Sequence, residues 1–306
     1  FVSGLGFTST SGVKDVTTAA LQADGKILVG GNFTSYNGTP IKKIIRLNND
    51  GSVDSSFNNA GIHFPEGYVS CIKTQPDGKI LVTGGRGFDP GAILIRLNTD
   101  GSLDNSFTLQ SSLDTRFSGF DMVQMLPNGK ILAGGYSETP LYGCKLFLFN
   151  QDGSTDAAFN MTALPYRLNS IAIQSDNKIL IVQETGNVAD EGIIRLNVDG
   201  SVDNSFNTGT GFRQLSTKAN ISSIELLPNG DIITIGNFNQ YNGVDVKNRV
   251  RINSSGIIDP TFNNQNTDSN DRSSSIQIQS DGTFLGCFSV YTQTDFIIRH
   301  SFMRLD

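Results

Sequence analysis

Residues Gln75–Val82 read Gln-Pro-Asp-Gly-Lys-Ile-Leu-Val, and Arg96–Phe107 read Arg-Leu-Asn-Thr-Asp-Gly-Ser-Leu-Asp-Asn-Ser-Phe. These two stretches decide the fold, because versions of them recur along all 306 residues. The first stretch has six copies and the second has five, with a sixth that stops at Arg304–Asp306. Successive first turns are 48 to 53 residues apart. This period predicts a repeat architecture in which neighbouring copies stack and bury a shared core.

Each copy contains two turns built on Asp-Gly or a close variant, residue types that tolerate the positive φ angles of a tight hairpin. The first turns lie at Asp24–Lys26, Asp77–Lys79, Asn128–Lys130, Asp176–Lys178, Asn229–Asp231 and Asp281–Thr283. The second turns lie at Asp50–Gly51, Asp100–Gly101, Asp152–Gly153, Asp199–Gly200 and Ser255–Gly256. Two hairpins predict four strands per copy, which in the first copy are Val16–Gln22, Lys26–Phe33, Ile41–Asn48 and Ser52–Asn58.

A four-stranded antiparallel unit of about 50 residues has the size of one propeller blade, and no segment shows a sustained helical period. The sequence therefore predicts an all-β fold: a six-bladed β-propeller of four-stranded blades, forming a single domain over residues 1–306. Phe1 is in register with the phenylalanines that close each copy, such as Phe57. We expect both termini to close the last blade; alternatively, the chain is excised from a longer array of repeats.

The motifs resemble those of the delta-60 repeat β-propellers, in which Gln-Pro-Asp-Gly-Lys-Ile-Leu is followed by Gly-Gly and then by Arg-Leu-Asn-x-Asp-Gly-Ser-x-Asp-x-Ser-Phe. The second copy is near to that pattern, and the resemblance covers nearly the whole chain. Copies three and six drift most, with Leu148–Phe149 in place of Arg-Leu and Gly286–Phe288 in place of the glycine pair. The resemblance implies a bacterial secreted or surface protein, or a phage structural protein, without a common catalytic motif.

Composition favours a location outside the cell. Only 17% of the residues are charged, while Asn, Ser, Thr and Gly abound, which suits short strands and many turns. We therefore expect an extracellular protein, on a bacterial cell surface or a phage virion. The net charge of −6, with no run of basic residues, argues against a nucleic-acid partner. No apolar stretch approaches the roughly 18 residues that span a bilayer, so membrane insertion is not expected.

The second turn offers candidate calcium ligands, because Asn-x-Asp-Gly-Ser-x-Asp places oxygen ligands at alternate positions around a glycine. Two features oppose calcium: a cation, Arg46, holds the leading position, and Asn253–Asp259 keeps the last aspartate but loses the central one. We expect no cofactor, with calcium as the weaker alternative, and interpret the turn as an Asx-type hairpin. The calcium candidates are Asp50, Asp54, Asp100 and Asp104.

An arginine and an aspartate recur eight residues apart around this turn, as in Arg46 with Asp54 and Arg96 with Asp104. We predict that they form an ion pair across the second hairpin with an architectural role, because a buried charge is costly unless it is paired. The chain has two histidines and shows no nucleophile elbow, phosphate-binding loop or zinc spacing. The sequence therefore predicts no catalytic residues and no enzyme.

The loops between the second and third strands are the predicted binding surface, because equivalent propeller loops gather on one face and tolerate variation. Copies one and five share Gly-Asn-Phe-x-x-Tyr-Asn-Gly, and other copies carry tyrosines in or beside the same segment. A tyrosine flanked by amides can stack on and hydrogen-bond a sugar or a protein. Alternatively, Asn-Gly is merely the turn of the loop and the tyrosine packs over it. The candidates are Asn32, Tyr36, Asn37, Tyr136, Tyr142, Asn237, Tyr241, Asn242 and Tyr291.

These features predict a non-enzymatic recognition or adhesion module that binds a surface glycan or a protein receptor through its variable loops. One alternative is a purely structural spacer or assembly subunit, whose partners are neighbouring subunits of a larger assembly. A second alternative is a carbohydrate-active enzyme, a lyase or hydrolase that acts through carboxylates.

Overall fold

A computed structural model describes residues 4–9, 15–58, 67–85, 92–109, 119–137, 143–160, 167–183, 192–206, 209–214, 219–262, 271–278, 284–291 and 298–305. Their contacts divide the chain into two compact units. The described residues up to Phe159 form the first unit, and Asn160 with those from Arg167 onward form the second. The single domain over residues 1–306 stays a prediction. Closure of a blade by Phe1 and Asp306 concerns residues outside the described part of the chain.

Both units consist of β-strands. The strands of the first unit are β1 (Phe7–Thr8), β2 (Asp15–Leu21), β3 (Ile27–Asn32), β4 (Ser35–Tyr36), β5 (Thr39–Pro40), β6 (Ile44–Leu47), β7 (Tyr68–Thr74), β8 (Ile80–Gly85), β9 (Ala92–Leu97), β10 (Met122–Met125), β11 (Ile131–Ser137) and β12 (Gly143–Phe149). Those of the second are β13 (Leu168–Ile173), β14 (Ile179–Gln183), β15 (Ile193–Leu196), β16 (Phe212–Arg213), β17 (Asn220–Leu226), β18 (Ile232–Asn237), β19 (Gln240–Tyr241), β20 (Val244–Asp245), β21 (Arg249–Ile252), β22 (Asp271–Ile278), β23 (Phe284–Tyr291) and β24 (Ile298–Leu305). The all-β prediction is confirmed for the described residues, among which no helix could cross a membrane.

Each repeat forms one antiparallel sheet of three strands in chain order. The sheets are β2–β3–β6, β7–β8–β9, β10–β11–β12, β13–β14–β15, β17–β18–β21 and β22–β23–β24. The predicted first turns join the first two strands: Gly25 has a φ of 83°, and the Gln22 N–H donates to the Lys26 carbonyl at 2.8 Å. Every residue of β8 is buried, which explains the nearly continuous apolar character of the second strand.

The predicted fourth strand is wrong for the described residues. After the second turn, the chain pairs with the third strand at one isolated bridge, such as Leu47 with Val53 or Leu97 with Leu103. The Asp54 N–H still donates to the Arg46 carbonyl at 2.9 Å, as a continuing pair would. The chain then turns, because the Phe57 N–H donates to the Asp54 carbonyl at 3.1 Å and the Ser56 N–H donates to Asp54 Oδ1 at 3.0 Å.

A β-bulge interrupts the first strand in most repeats. In five of the repeat sheets the register shifts by one residue, for example between Val69 and Cys71. The bulge presses the first strand against the Gly-Gly pair that ends the second strand. A Cβ on Gly84 would lie 2.0 Å from the Tyr68 carbonyl oxygen, and one on Gly236 would lie 2.1 Å from that of Asn220. The glycine at this position, which is the first of the pair in the second repeat and follows Ile235 in the fifth, is therefore required by a close backbone approach.

Within each unit, the sheets of successive repeats pack against one another and bury the core between them. In the first unit, Leu28 and Ile44 of the first repeat cluster with Val69, Ile72 and Val82 of the second. Their side chains are at most 2% exposed. A repeat therefore completes its core only by stacking on its neighbour, as its period predicts.

Two small sheets accompany the repeat sheets, one in each unit. The hairpin of β4 and β5 lies between the second and third strands of the first repeat and pairs with β1. The hairpin of β19 and β20 occupies the same place in the fifth repeat and pairs with β16. These hairpins carry the shared Gly-Asn-Phe-x-x-Tyr-Asn-Gly segments.

Candidate functional site

The central aspartate of the second turn caps the turn itself. Asp50 Oδ1 accepts hydrogen bonds from the Ser52 hydroxyl at 2.7 Å and from the Ser52 N–H at 2.9 Å. Asp100 makes the same two bonds to Ser102. These bonds hold the pKa of both carboxyls below its usual range. The geometry is that of the Asx-type hairpin that the sequence analysis favoured.

The last aspartate of the turn is neutralised by two cations. Asp54 Oδ2 accepts from Arg46 Nε at 2.7 Å and from Lys26 Nζ at 2.8 Å. Burial alone would raise the pKa of Asp54, but the hydrogen bonds from Lys26, Ser56 and Arg46 outweigh it and hold the pKa well below its usual range. The predicted Arg–Asp pair is confirmed. The sequence analysis did not predict that Lys26 also bonds Asp54, although a lysine ends each Asp-Gly-Lys turn.

Asp104 repeats this arrangement with Arg96 and Lys79. Because Asp54 and Asp104 are each held by two cations and a serine, these two calcium candidates do not fit a divalent ion. Among the residues that the structure describes, no three His, Cys, Asp or Glu side chains come together as potential metal ligands.

The arginine also ties neighbouring repeats together. Arg46 Nη1 donates to the Thr99 carbonyl of the second repeat at 2.5 Å, and Arg96 Nη1 donates to the Gln151 carbonyl of the third, also at 2.5 Å. The Arg46 guanidinium stands 4.7 Å from the ring centroid of Phe57, the residue that closes the turn. The arginine, lysine and aspartate side chains around the second turn therefore bond to one another and to the neighbouring repeat, and they do not form a ligand site.

Two of the loop tyrosines, Tyr36 and Tyr241, are buried. Tyr36 is 4% exposed, and its hydroxyl donates to the Gly51 carbonyl at 2.9 Å. Tyr241 is fully buried, and its hydroxyl donates to the Gly256 carbonyl at 2.5 Å. Neither ring offers a face to a ligand in this structure. The packing matches the alternative in which the tyrosine covers the loop's own turn.

The loop asparagines also serve local structure. Asn37 and Asn242 have φ angles of 49° and 50°, and their Oδ1 atoms accept backbone N–H groups. Asn32 Oδ1 accepts from Lys43 Nζ at 2.6 Å, and Asn237 Oδ1 accepts from Gln214 Nε2 at 3.0 Å. For the other candidates, the structure places only the backbone of Tyr136 in β11 and that of Tyr291 in β23, and Tyr142 lies outside the described residues.

A set of polar side chains that the sequence analysis missed lies at the bulge of the first strands. Three of them reach the first strand of the next repeat: Thr17 Oγ1 donates to the Val69 carbonyl, and Ser70 Oγ donates to the Phe120 carbonyl at 2.5 Å. In the second unit, Asn169 Nδ2 donates to the Ile221 carbonyl at 2.9 Å. The signal was a polar residue seven positions before each first turn: Thr17, Ser70, Asp121, Asn169, Ser222 and Ser274.

Asp121 departs from this pattern. It is the one acidic residue among the six equivalent positions, its own repeat shows no register shift, and an ionised carboxylate has no proton to donate to a carbonyl. Its side chain is partly buried, and its backbone N–H donates to the Gly134 carbonyl at 2.9 Å. Burial, together with the negative charge of Asp121, raises the pKa of the neighbouring Cys144 thiol to about 12. The carboxylate therefore stands on a fixed strand beside an inert thiol.

Four segments, residues 22–57, 75–107, 174–206 and 227–262, match the family model described as Domain of unknown function (DUF5122) beta-propeller. They fall on the first, second, fourth and fifth repeats. This match supports a β-propeller family. No curated protein matches the sequence.

Several solved structures share the fold across most of the chain. A luciferin-regenerating enzyme has a TM-score of 0.54 and 12% identity, over 99% of this chain and 93% of the other. The calcium-binding protein regucalcin from Agrobacterium tumefaciens has a TM-score of 0.51 and 13% identity, over 96% and 85%. A gluconolactonase from Xanthomonas campestris has a TM-score of 0.50 and 11% identity, over 87% and 80%. Identities this low show a common fold alone.

The comparison corrects the predicted function. We expected a non-enzymatic recognition or adhesion module, but this fold is shared with a gluconolactonase and a luciferin-regenerating enzyme, so the comparison contradicts that expectation. The expectation that the chain is no enzyme is contradicted by the same finding. One of the structures that share the fold, regucalcin, is a calcium-binding protein. The partners and the extracellular or virion location stay predictions.

Proposed function

We propose that the chain is an enzyme-type β-propeller, with its six repeat sheets as six blades of the delta-60 kind, that hydrolyses a small sugar-derived ester such as an aldonolactone. The observation that carries this proposal is Asp121, a carboxylate at the position equivalent to the bulge residue of the other five repeats, all of which place a neutral hydroxyl or amide side chain there. The fold shared with a gluconolactonase supports the choice of substrate class.

The surroundings of Asp121 suit a fixed catalytic group. The residue before it, Phe120, is fully buried, and the Ser70 hydroxyl holds its carbonyl at 2.5 Å. The Asp121 N–H is bonded to Gly134 on the adjacent strand. The backbone that carries the carboxylate is thus held from two neighbouring strands. Such positioning is what a general base requires, because its oxygen must stay within hydrogen-bond reach of the attacking water.

In the proposed reaction, the Asp121 carboxylate accepts a proton from a water molecule as the water oxygen attacks the lactone carbonyl carbon. The tetrahedral intermediate then breaks the bond between the carbonyl carbon and the ring oxygen. The ring oxygen leaves as a hydroxyl group and takes the proton back from Asp121, which gives the open-chain acid. The neighbouring Cys144 does not compete as a nucleophile, because its raised pKa keeps the thiol protonated at neutral pH.

The test is to incubate the purified protein with a panel of aldonolactones near neutral pH and to measure the acid released by hydrolysis. The measurement is made once with added calcium and once with chelator. Asp121→Asn should lower kcat by about 100-fold or more, the usual contribution of a general base. Asp152→Asn is the matched control: it removes an exposed carboxylate from the same repeat, and asparagine keeps the turn's hydrogen bonds, so it should retain full activity.

Two outcomes would refute the proposal. One is acid release at the spontaneous rate with every lactone, in both the calcium and the chelator series. The other is turnover that survives Asp121→Asn while the far-ultraviolet circular dichroism of the variant matches that of the wild type.

A further inference from the structure

Two segments in different parts of the chain dock on equivalent hairpins. Gly4–Thr8 reads Gly-Leu-Gly-Phe-Thr and precedes the first repeat, and Gly209–Arg213 reads Gly-Thr-Gly-Phe-Arg and lies between the fourth and fifth repeats. Phe7–Thr8 forms β1 on the hairpin of β4 and β5, and Phe212–Arg213 forms β16 on that of β19 and β20. We name the two hairpins, with the phenylalanine that precedes each, the first and second hairpin grooves.

In the first hairpin groove, the segment is held through its backbone. The Asn37 N–H donates to the Gly6 carbonyl at 2.9 Å, and the Thr34 N–H donates to the Thr8 carbonyl at 2.8 Å. The Gly6 N–H in turn donates to Asn37 Oδ1 at 2.8 Å. Main-chain bonds of this kind are how a sheet edge accepts an added strand.

The second hairpin groove repeats these bonds with other residues. The Asn242 N–H donates to the Gly211 carbonyl at 3.0 Å, and the Asn239 N–H donates to the Arg213 carbonyl at 2.9 Å. The Gly211 N–H donates to Asn242 Oδ1 at 2.9 Å. Two independent segments therefore use one docking geometry.

The phenylalanine is the apolar anchor of each segment. The Phe7 ring lies 4.6 Å from the Phe33 ring and 4.7 Å from the Tyr36 ring, measured between centroids. The corresponding distances from Phe212 are 4.8 Å to Phe238 and 4.6 Å to Tyr241. The tyrosines that the sequence offered as ligand-binding groups thus line the pocket for this phenylalanine.

Both glycines of the segment are required by the groove. A Cβ on Gly4 would lie 2.2 Å from Asn37 Oδ1, the atom that holds the segment. The second glycine has a positive φ, 70° at Gly6 and 68° at Gly211, which a side chain would strain. The groove therefore selects the pattern Gly-x-Gly-Phe, in which only the second residue is unconstrained; Leu5 at that position is 82% exposed.

We infer that each hairpin groove is a recognition site for an extended Gly-x-Gly-Phe peptide, and that the partner it fits is the corresponding segment of a second copy of this chain. Because the anchoring contacts lie within five residues, a segment supplied by another molecule can make all of them. The groove then provides a strand-exchange contact between copies, which goes beyond the proposed hydrolytic function and does not depend on it.

The experiment starts from the full chain with a specific protease site inserted between Ser9 and Asp15, so that the protein folds before the segment is released. After cleavage, gel filtration shows whether the released segment stays bound. A fluorescent peptide of residues 3–9 is then added and its binding followed by anisotropy, with the unlabelled peptide of residues 208–213 as competitor. The same peptide with Phe7→Ala and one with Leu5→Ser are the matched variants.

Saturable binding of the added peptide supports the inference when Phe7→Ala weakens it at least about tenfold and Leu5→Ser leaves it unchanged. Retention of the cleaved segment without uptake of the added peptide overturns it, because the groove then does not accept a segment from another molecule. Loss of the segment without rebinding of the peptide overturns it. Equal retention or binding of the Phe7→Ala form also overturns it, because the anchor would then contribute nothing.

Discussion

Replacing Arg96 by leucine removes the cation that joins the second repeat to the third. The guanidinium bonds Asp104 at 2.7 Å, the Gln151 carbonyl at 2.5 Å and the Ser106 hydroxyl at 3.2 Å. It also lies 4.8 Å from the centroid of the Phe107 ring. The third repeat carries Leu148 at the equivalent position, so leucine is compatible with the local backbone.

Removing one partner of a buried ion pair destabilises a protein by about 3–5 kcal/mol. The Arg96 and Asp104 side chains are 8% and 7% exposed, so the pair belongs to that class. Lys79 stays 2.8 Å from Asp104, but its side chain is 32% exposed and compensates only in part. We therefore expect Arg96→Leu to lower the free energy of unfolding by about 3 kcal/mol, at the lower end of the range.

The assay is equilibrium unfolding in urea, followed by far-ultraviolet circular dichroism at neutral pH. The double variant Arg96→Leu/Asp104→Asn should recover most of the loss, because asparagine needs no counter-charge and can still accept the Ser106 N–H. Arg195→Leu makes the same change in the second unit and should destabilise that unit to a similar extent. A loss below about 1 kcal/mol for Arg96→Leu would refute the reasoning, because the pair would then be no stronger than a surface ion pair.

Acidification should destabilise the protein below about pH 4: folded-state pKa values well below the ordinary 3.9 mean that the unfolded chain binds more protons as the pH falls. Urea unfolding between pH 5 and pH 2 checks this, and a flat profile would contradict it. Gly84→Ala should cost about 2–3 kcal/mol, because the new Cβ meets the Tyr68 carbonyl; a loss below 1 kcal/mol would count against the close approach. Tyr36→Phe should cost about 1 kcal/mol, for the lost bond to Gly51, while leaving hydrolysis unchanged. Reduced hydrolysis with intact stability would instead place Tyr36 in a binding site.

The parts of the candidate sites that could be predicted are those encoded by neighbouring residues. Arg46 and Asp54 lie eight positions apart across one turn, so their pairing followed from local spacing. Lys26 is 28 residues from Asp54, and only the stacked strands of the folded repeat bring the two together. The burial of Tyr36 was equally hidden, because Phe7, which packs on it, belongs to a segment before the repeat.

The role proposed for Asp121 could not be predicted from the sequence, for a different reason. Its residue type was visible, but its position gained meaning only when the structure identified the bulge and showed what Thr17, Ser70 and Asn169 do there. A polar residue in a strand reads as a solvent-facing side chain unless the neighbouring strand is known. The contact that Ser70 makes at the equivalent position runs between repeats, to a carbonyl 50 residues away in the chain.

The amino-acid sequence by itself determined the repeat, the all-β class and the positions of the described first and second turns, because Asp-Gly chemistry acts within four residues. The tertiary structure decided how the chain continues after the second turn and whether the side chains of Tyr36 and Tyr241 are buried. The fourth strand shrinks to one bridge because the chain turns after the aspartate, and Tyr36 and Tyr241 face inward because Phe7 and Phe212 pack on them. Those outcomes depend on contacts between distant segments, whose energies no local pattern records.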